Sequence, residues 1–526
     1  MTSSTRTDEE ALRSGAGGQK PSPESATTTG AAMDDTSGSP ASLVVSEAEG
    51  WARFLKSPHG ESATGDRIAS PLGQVSWAMF DFARTPYVLL VTIYLFAPYF
   101  ANTFVPHDPV RGQAIWLNIQ GYSGVFIALL APFIGAISDA GGRRKPWIVV
   151  FGMMVALAAG MLWYAKPGGQ GLSILEVGIF VAITYVAFEF TSVFYNAMLA
   201  SITTPGQVGR LSGLGLSLGN ASGLAILLLM LYGFALPGNV TWSFIPAHPW
   251  FGIDQSQFES DRLTGPISMA CIFIFSIPLL IWTPDRAKAS MGWAEASVKG
   301  IKSVLTTVRS LKHYKNVATY LFARLFFNDG MTALLTVGGI YAAGVFHWGT
   351  LNRLAYGIVL SVFAVFGGFL GGWLDDHLGS KPAIFISVGG TLIFGLLSIS
   401  MGLDRIFWFI PYDPHSAPVF QGLPFFKSLP ELIYMLLVIV VAICVTASYA
   451  NARTMMARIA PVERMTEFFG LFSLSGQSTS FLATLSASWL TEWTASQRGG
   501  MIAVMIFLGL GLIGMIFVKE ERATAA

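Results

Sequence analysis

The sequence predicts an all-α polytopic membrane protein, with twelve transmembrane helices in two pseudo-symmetric six-helix halves. Three observations predict it. Of 526 residues, 52% are hydrophobic and 12% charged, about half the roughly 25% charged share of soluble domains. Mean hydropathy is +0.55. Long continuous apolar runs recur, each near the roughly 20 residues that a helix needs to cross a bilayer. A motif also repeats. Gly135-Ala-Ile-Ser-Asp139-Ala-Gly-Gly142-Arg143-Arg144-Lys145-Pro146 ends one apolar run. Gly372-Trp-Leu-Asp-Asp376-His-Leu-Gly379-Ser-Lys381-Pro382 ends another, 237 residues later. A duplicated hinge in so apolar a chain is the pattern of membrane proteins built from two related halves.

Charge, Pro and Gly signals bound the runs and predict helices near 75–104, 115–137, 146–166, 174–202, 211–236, 265–283, 317–346, 354–374, 382–402, 431–456, 467–491 and 499–518. The runs are continuous, whereas membrane strands alternate over about ten residues. Residues 1–73 are rich in Ser, Thr, Gly and Ala and hold no apolar run. They predict a disordered cytoplasmic N-terminal tail with a short helix near Glu47–Lys56, and no cleavable signal peptide. The halves are then 74–283 and 317–518, joined by a cytoplasmic linker at 284–316 and followed by a tail at 519–526. Pro86 and Pro278 fall inside spans, where a missing N–H loosens backbone bonding.

Lysine and arginine set the expected orientation. Arg143, Arg144, Lys145, Arg210, seven in the linker (Arg286, Lys288, Lys299, Lys302, Arg309, Lys312, Lys315), Lys381, Arg458, Arg464, Lys519 and Arg522 make sixteen on one side. Arg111, Lys166, Arg262, Arg353, Arg405, Lys427 and Arg498 make seven on the other. Both termini are therefore expected in the cytoplasm. A net charge of +1 points to no nucleic-acid partner. Cys271 and Cys444 lie in apolar runs and read as packing residues. The seven histidines form no ligand cluster and no GxxxxGK[ST] loop occurs, so neither a cofactor nor a built-in ATP motor is expected. No nucleophile–base spacing suggests an enzyme.

Further echoes support duplication. Gly213-Leu-Gly215-Leu-Ser-Leu-Gly219-Asn220 answers to Gly470-Leu-Phe-Ser-Leu-Ser-Gly476-Gln477. Tyr195-Asn196-Ala197 answers to Tyr449-Ala-Asn451-Ala452, and Asp81 to Asp329. Charges inside spans are costly, roughly 2.5–3.5 kcal/mol each on the insertion scale, and mark function or pairing. Asp81 and Arg84 sit three apart on helix 1 and can pair locally. Glu189 lies halfway along helix 4, with Asn196 two turns further on the same stripe. Arg324, Asn328 and Asp329 lie on helix 7. The acids are candidate ion or proton carriers, and the arginines candidate counter-charges or clamps for a solute carboxylate. The bland alternatives are a structural Asp81–Arg84 pair and a snorkelling Arg324.

The GAISDAGGRRKP string resembles the loop 2–3 signature of the major facilitator superfamily. Within it, the chain resembles the autophagy-related vacuolar amino-acid effluxers and their bacterial relatives. The strings carrying the likeness are WAMFDFARTPY from Trp77, VFYNAMLASI from Val193, GRLSGLGLSLGN from Gly209, FARLFFNDG from Phe322 and TEFFGLFSLSG from Thr466. The chain departs from the family pattern at Arg84, Pro86 and Asn220. The resemblance implies a secondary transporter in which helices 1, 4, 7 and 10 line a central cavity. It also implies a conformational gate formed by Gly135, Asp139, Gly142, Arg143, Arg144 and Lys145, echoed by Gly372, Asp376, Gly379 and Lys381. The expected protein is a monomer in a bacterial cytoplasmic membrane, in contact with lipid. It would move a small polar solute, with amino acids or short peptides leading, coupled to protons or sodium. The competing expectations are a sugar–cation symporter and a non-transporting receptor or lipid-handling protein on the same scaffold.

Overall fold

The computed structural model describes residues 68–106, 108–140, 143–203, 208–285, 298, 302, 313–420, 423–460, 471–472, 475–476 and 480–520. The helix expected near Glu47–Lys56 lies outside them. Helix α1 begins at Pro71, slightly before the expected edge of the tail. It runs as α-helix to Pro86, continues with π-type bonding over Tyr87–Tyr94, breaks at Leu95 and resumes to Phe104. The bonding changes where Pro86 withholds its N–H, as the proline predicts. Then follow α2 (Pro109–Ala140), α3 (Lys145–Met161), α4 (Ile174–Ile202), α5 (Val208–Met230) and α6 (Thr264–Trp282). A single helical turn, Glu259–Arg262, leads into α6. The second half comprises α7 (Lys315–Val345), α8 (Thr350–Leu378), α9 (Ser380–Ile399), α10 (Leu429–Ile459), α11 (Ser480–Trp493) and α12 (Gln497–Ile516). Strands β1 (Arg405–Ile406) and β2 (Ile410–Pro411) form a small antiparallel pair in the α9–α10 connection. Among the described residues, nine helices are long and apolar enough to cross a membrane. The helices α2, α7 and α11 occupy the other three expected positions.

The halves repeat one packing scheme. α1 packs along α5 and α6, as α7 does along α11 and α12; α2 meets α4 as α8 meets α10; α3 meets α6 as α9 meets α12. Among the described residues the halves meet along three seams, α2 against α11, α5 against α8, and the later part of α1 against α7. Local chemistry repeats too. Ser173 and Glu176 form a reciprocal capping box at the start of α4, and Ser428 and Glu431 form the same box at the start of α10. Each box satisfies two N–H groups that a helix start would otherwise leave bare.

Glycine sets the α1–α5 approach. A Cβ at Gly215 would stand 2.6 Å from an Asp81 carboxylate oxygen, at Gly219 2.8 Å from the Thr85 hydroxyl, and at Gly223 2.4 Å from Leu89. Both stripes step by four residues, so one helix ridge lies in the groove of the other. The aligned glycine of the second half, Gly476, stands against Arg324 and Asn328 of α7. The charged positions of α1 and α7 thus sit under equivalent glycines.

The chain ends of the helical bundle, near Pro71, Asp285, Lys315 and Val518, share one end of the molecule, here termed the near end. At the opposite, far end the halves are bonded together. Gln113 Nε2 donates to Thr491 Oγ1 (2.9 Å) and to the Gln497 carbonyl (3.1 Å). Gln497 Nε2 donates to Asn102 Oδ1 (2.8 Å), and Asn102 donates to the Ile340 carbonyl (3.2 Å). Ser488 donates to the Ala114 carbonyl at 3.0 Å. Arg353 pairs with Asp261 at 2.7 Å.

Candidate solute cavity and its braces

A cavity of about 260 Å³ lies between the halves, lined by Arg84, Ile127, Tyr185, Phe188, Glu189, Ser192, Asn196, Thr332 and Gly476. It is smaller than the roughly 300–1,000 Å³ of pockets for drug-sized ligands. Arg84 is held on several sides. Its Nε donates to Asp81 Oδ1 at 2.9 Å and its Nη1 to Ser192 Oγ at 2.6 Å. Its guanidinium carbon lies 5.0 Å from the Phe188 ring centroid and 5.3 Å from that of Tyr195, within cation–π range. Tyr195 donates its hydroxyl to the other Asp81 oxygen at 2.8 Å, while Trp77 stacks on the tyrosine ring at 4.3 Å. Asp81 is thereby committed to fixing Arg84. Nη2 of Arg84 makes no hydrogen bond among the described residues and remains available to a ligand. Glu189, on the same cavity wall, is half-buried and makes no hydrogen bond or ion pair among the described residues. The cavity therefore presents one oriented cation and one unengaged carboxylate, with Phe188 and Ile127 as apolar wall. Asn196, two turns from Glu189 toward the near end, is exposed.

The α7 residues behave otherwise. Arg324 is 6% exposed and does not line the cavity. Its Nη1 donates to the Phe472 carbonyl (2.6 Å) and to Ser475 Oγ (2.7 Å), binding α7 to the residues before α11. The clamp expected of Arg324 is corrected to a brace, because its Nη1 donors are taken by those acceptors and it stands off the cavity wall. Asn328 accepts from Arg324 at 3.4 Å and donates to the Gly476 carbonyl at 3.4 Å, joining that brace. Asp329 is fully buried and away from the cavity lining, which argues against an ion carrier open to the solute path.

At the near end, each half carries a carboxylate clamp. Asp285, just past α6, accepts the backbone N–H groups of Arg144 (3.0 Å) and Lys145 (2.9 Å) at the start of α3. Glu520, just past α12, accepts those of Ser380 (2.8 Å) and Lys381 (3.1 Å) at the start of α9. Lys145 Nζ reaches the Leu280 carbonyl, and Lys381 Nζ reaches that of Ile516. A carboxylate at a helix N-terminus satisfies bare N–H groups and meets the positive end of the helix dipole. Arg144 additionally donates to the Ala197 carbonyl and Ser201 on α4. Gly379 holds φ +93°, the backbone turn that only glycine adopts without strain.

In the second half the acid at the hinge is Asp375. It is buried, pairs with Arg458 at 2.7 Å, accepts from Thr454 at 3.0 Å and is bonded by Ser380. Arg458 also reaches Glu520 at 3.0 Å. Asp376, singled out from the motif spacing, is exposed and makes no hydrogen bond or ion pair among the described residues; the spacing is corrected by one residue. Gly372 is likewise exposed, with open space where a Cβ would go. Of the first motif, Gly135 and Asp139 fall in the last turns of α2, Arg143 is exposed, and the Asp139 side chain and Gly142 lie outside the described residues. We expect Asp375→Asn to destabilise the protein by about 2 kcal/mol, the cost of a lost charged hydrogen-bond pair. Asp376→Asn should leave stability unchanged. Thermal unfolding of the detergent-solubilised variants checks both.

Residues 107–526 match the family described as vacuole effluxer Atg22 like. The chain belongs to that family. The MFS-type transporter YxiO of Bacillus subtilis is 21% identical to it, over 85% of this chain and 95% of that protein. The autophagy-related protein 22 of Saccharomyces cerevisiae is 22% identical over 73% of each chain. That of Yarrowia lipolytica is 20% identical over 60% of this chain, which spans about half (51%) of the fungal protein. Among solved structures, a D-xylose–proton symporter superposes with a TM-score of 0.58 at 12% identity, covering 85% of this chain and 97% of its own. A bacterial homolog to the human lysosomal transporter Spinster, inward-facing and occupied, gives 0.55 at 13% identity, with 86% and 98% covered. These neighbours share the fold. This member of the Atg22-like family is therefore an integral membrane protein and a transporter of the major facilitator type.

Several of its site residues escape sequence reading. Tyr195 was legible only as part of a repeat, yet it fixes Asp81. Asp285 and Glu520 follow α6 and α12 at nearly the repeat offset, a signal that could have found them. Asp261 and Arg353 lie in different halves, and no local pattern joins them.

Proposed function

We propose that this transporter carries a small zwitterionic solute, an amino acid or short peptide, by alternating access coupled to protons. The observation supporting this is the cavity's pair of opposite charges. The free face of Arg84 suits a carboxylate, since guanidinium donors form charge-assisted bonds to it. Glu189 suits an ammonium group, and Phe188 and Ile127 suit a side chain. A neutral sugar would leave the Glu189 carboxylate without a countercharge and Nη2 of Arg84 without a charged acceptor. The basic near end is the cytoplasmic one on the lysine and arginine bias. The halves are bonded at the far end, so the form described here has its outer side shut.

Counterflow into liposomes holding the purified protein tests the reading, with a labelled amino-acid mixture, with and without a pH gradient. Uptake of one or a few amino acids that follows the gradient is the expected result. Uptake of sugars with sodium, and none of amino acids, would overturn it. Glu189→Gln should slow uptake about tenfold or more, the worth of one charged hydrogen bond, and flatten its pH dependence.

A further inference from the structure

The far end holds a second cavity, of about 450 Å³. Its volume falls within the roughly 300–1,000 Å³ of small-molecule sites. Pro109 and Val110 line it from the first half, and His347, Asp404, Gln497 and Arg498 from the second. Gln497 belongs to the closed seam: its Nε2 donates to Asn102 Oδ1 and to the Pro109 carbonyl at 3.1 Å. Its Oε1 accepts no hydrogen bond among the described residues, although Gln497 is only 8% exposed. A nearly buried acceptor without a donor is costly and is normally met by water or a ligand. Gly402 leaves a gap in the cavity wall. A Cβ there would stand 3.3 Å from Arg498 Nη2 and 3.5 Å from Asp404 Oδ1. The two charges thus face each other across the width of one small group, and they form no ion pair among the described residues. Arg498 is half-buried and steadied by Nη2, which donates to the Met401 carbonyl at 3.2 Å; other guanidinium donors remain for a ligand. Asp404 is largely exposed, and its ion pair among the described residues is a loose one to Arg405 at 3.7 Å, of a kind that contributes little.

We propose that this cavity is a second, outward binding site for a free amino acid, separate from the cavity around Arg84 and Glu189, and that its occupant holds the far side shut. This rests on the zwitterionic solute argued above. The carboxylate of the amino acid meets Arg498, and its ammonium group bridges Asp404 and Gln497 Oε1. Val110 and Leu403 supply apolar wall for its side chain. A simple anion would be repelled by Asp404 and a simple cation by Arg498, whereas a zwitterion satisfies both. The two-sided lining decides the effect. The site is whole only while the first half, at Pro109 and Val110, stands against the second. A ligand that binds one of two forms shifts the balance toward that form. It does so by a factor of one plus the ratio of its concentration to its dissociation constant. Amino acids gathered on the far side therefore restrain outward opening, in proportion to their concentration there.

The test is equilibrium dialysis of the full-length protein in lipid nanodiscs against a saturating mixture of tritium-labelled amino acids of equal specific activity. The parent should bind two amino acids per chain. Asp404→Asn, at an exposed position, should halve the bound label. Gly402→Val should do the same by filling the gap; Gly402 does not hold a positive φ, so valine fits its backbone. Arg84→Gln should also halve the label, through the central cavity, and adding Asp404→Asn to it should remove the rest. In Arg84→Gln, with Cys271 and Cys444 replaced by Ala, the mixture should raise the share of short distances between spin labels at Leu175 and Leu429. Adding Asp404→Asn should abolish that shift. One amino acid per parent chain, undiminished in Asp404→Asn and Gly402→Val, overturns the proposal and leaves the functional reading standing. An unchanged distance distribution overturns the claim that the occupant holds the far side shut. Label that falls in Asp404→Asn but not in Arg84→Gln sinks the functional reading instead. A parent that binds no label sinks both.

Discussion

Arg84→Gln is expected to cut amino-acid uptake about 10- to 100-fold, the range spanned by one charge-assisted hydrogen bond of roughly 1.5–3 kcal/mol. The loss has two sources. The variant no longer offers a guanidinium to the solute carboxylate. It also strips Asp81 of its cation, leaving that carboxylate, 17% exposed, with the Tyr195 hydroxyl. Arg84→Lys separates the two. Lysine keeps the charge beside Asp81 but lacks the planar fork that can hold Asp81, Ser192 and a ligand together. Uptake should therefore stay impaired in Arg84→Lys while thermal stability recovers toward the parent. Equal uptake in the Lys variant and the parent would show that Arg84 serves only as a counter-charge. Initial rates across a range of solute concentrations provide the readout, with unfolding temperatures beside them.

Gly339→Ala should open the far end, while Gly338→Ala next to it should not. A Cβ on Gly339 would stand 2.3 Å from the Ile93 carbonyl oxygen, across the boundary between α7 and α1. That oxygen is backbone and cannot swing aside, so the halves must separate or the helices bend. Overpacking of this kind costs on the order of 3 kcal/mol, enough to shift a two-state balance about 100-fold. A Cβ on Gly338 would meet only Leu334, at 4.0 Å. There the substitution should raise helix stability by about 0.5–1 kcal/mol, as alanine does for glycine in a helix. Distances between spin labels at Leu175 and Leu429, exposed positions at the far-end starts of α4 and α10, report the outcome. Gly357, whose Cβ would stand 2.8 Å from the Tyr94 ring, marks a second close approach along this seam.

The sequence by itself determined the class of fold, the duplication and the places where charge enters the bundle. Those properties are local or periodic. Apolar runs follow from the bilayer's thickness, and the motifs at Gly135 and Gly372 recur because the same hinge is built twice. The i, i+3 spacing of Asp81 and Arg84 already implied their contact, and Glu189 and Asn196 share a stripe that reaches the cavity. The tertiary structure decided what each charge does. Arg324 and Arg84 read alike in sequence, yet one is taken up by the Phe472 carbonyl and Ser475 ahead of α11 and the other faces the cavity, because the neighbouring segments supply different partners. Asp375 and Asp376 are adjacent, and only helix rotation selects which is buried against Arg458. Asp261 pairs with Arg353, 92 residues away and in the other half. Pairing at that range comes from how two halves dock, and no spacing within either half encodes it.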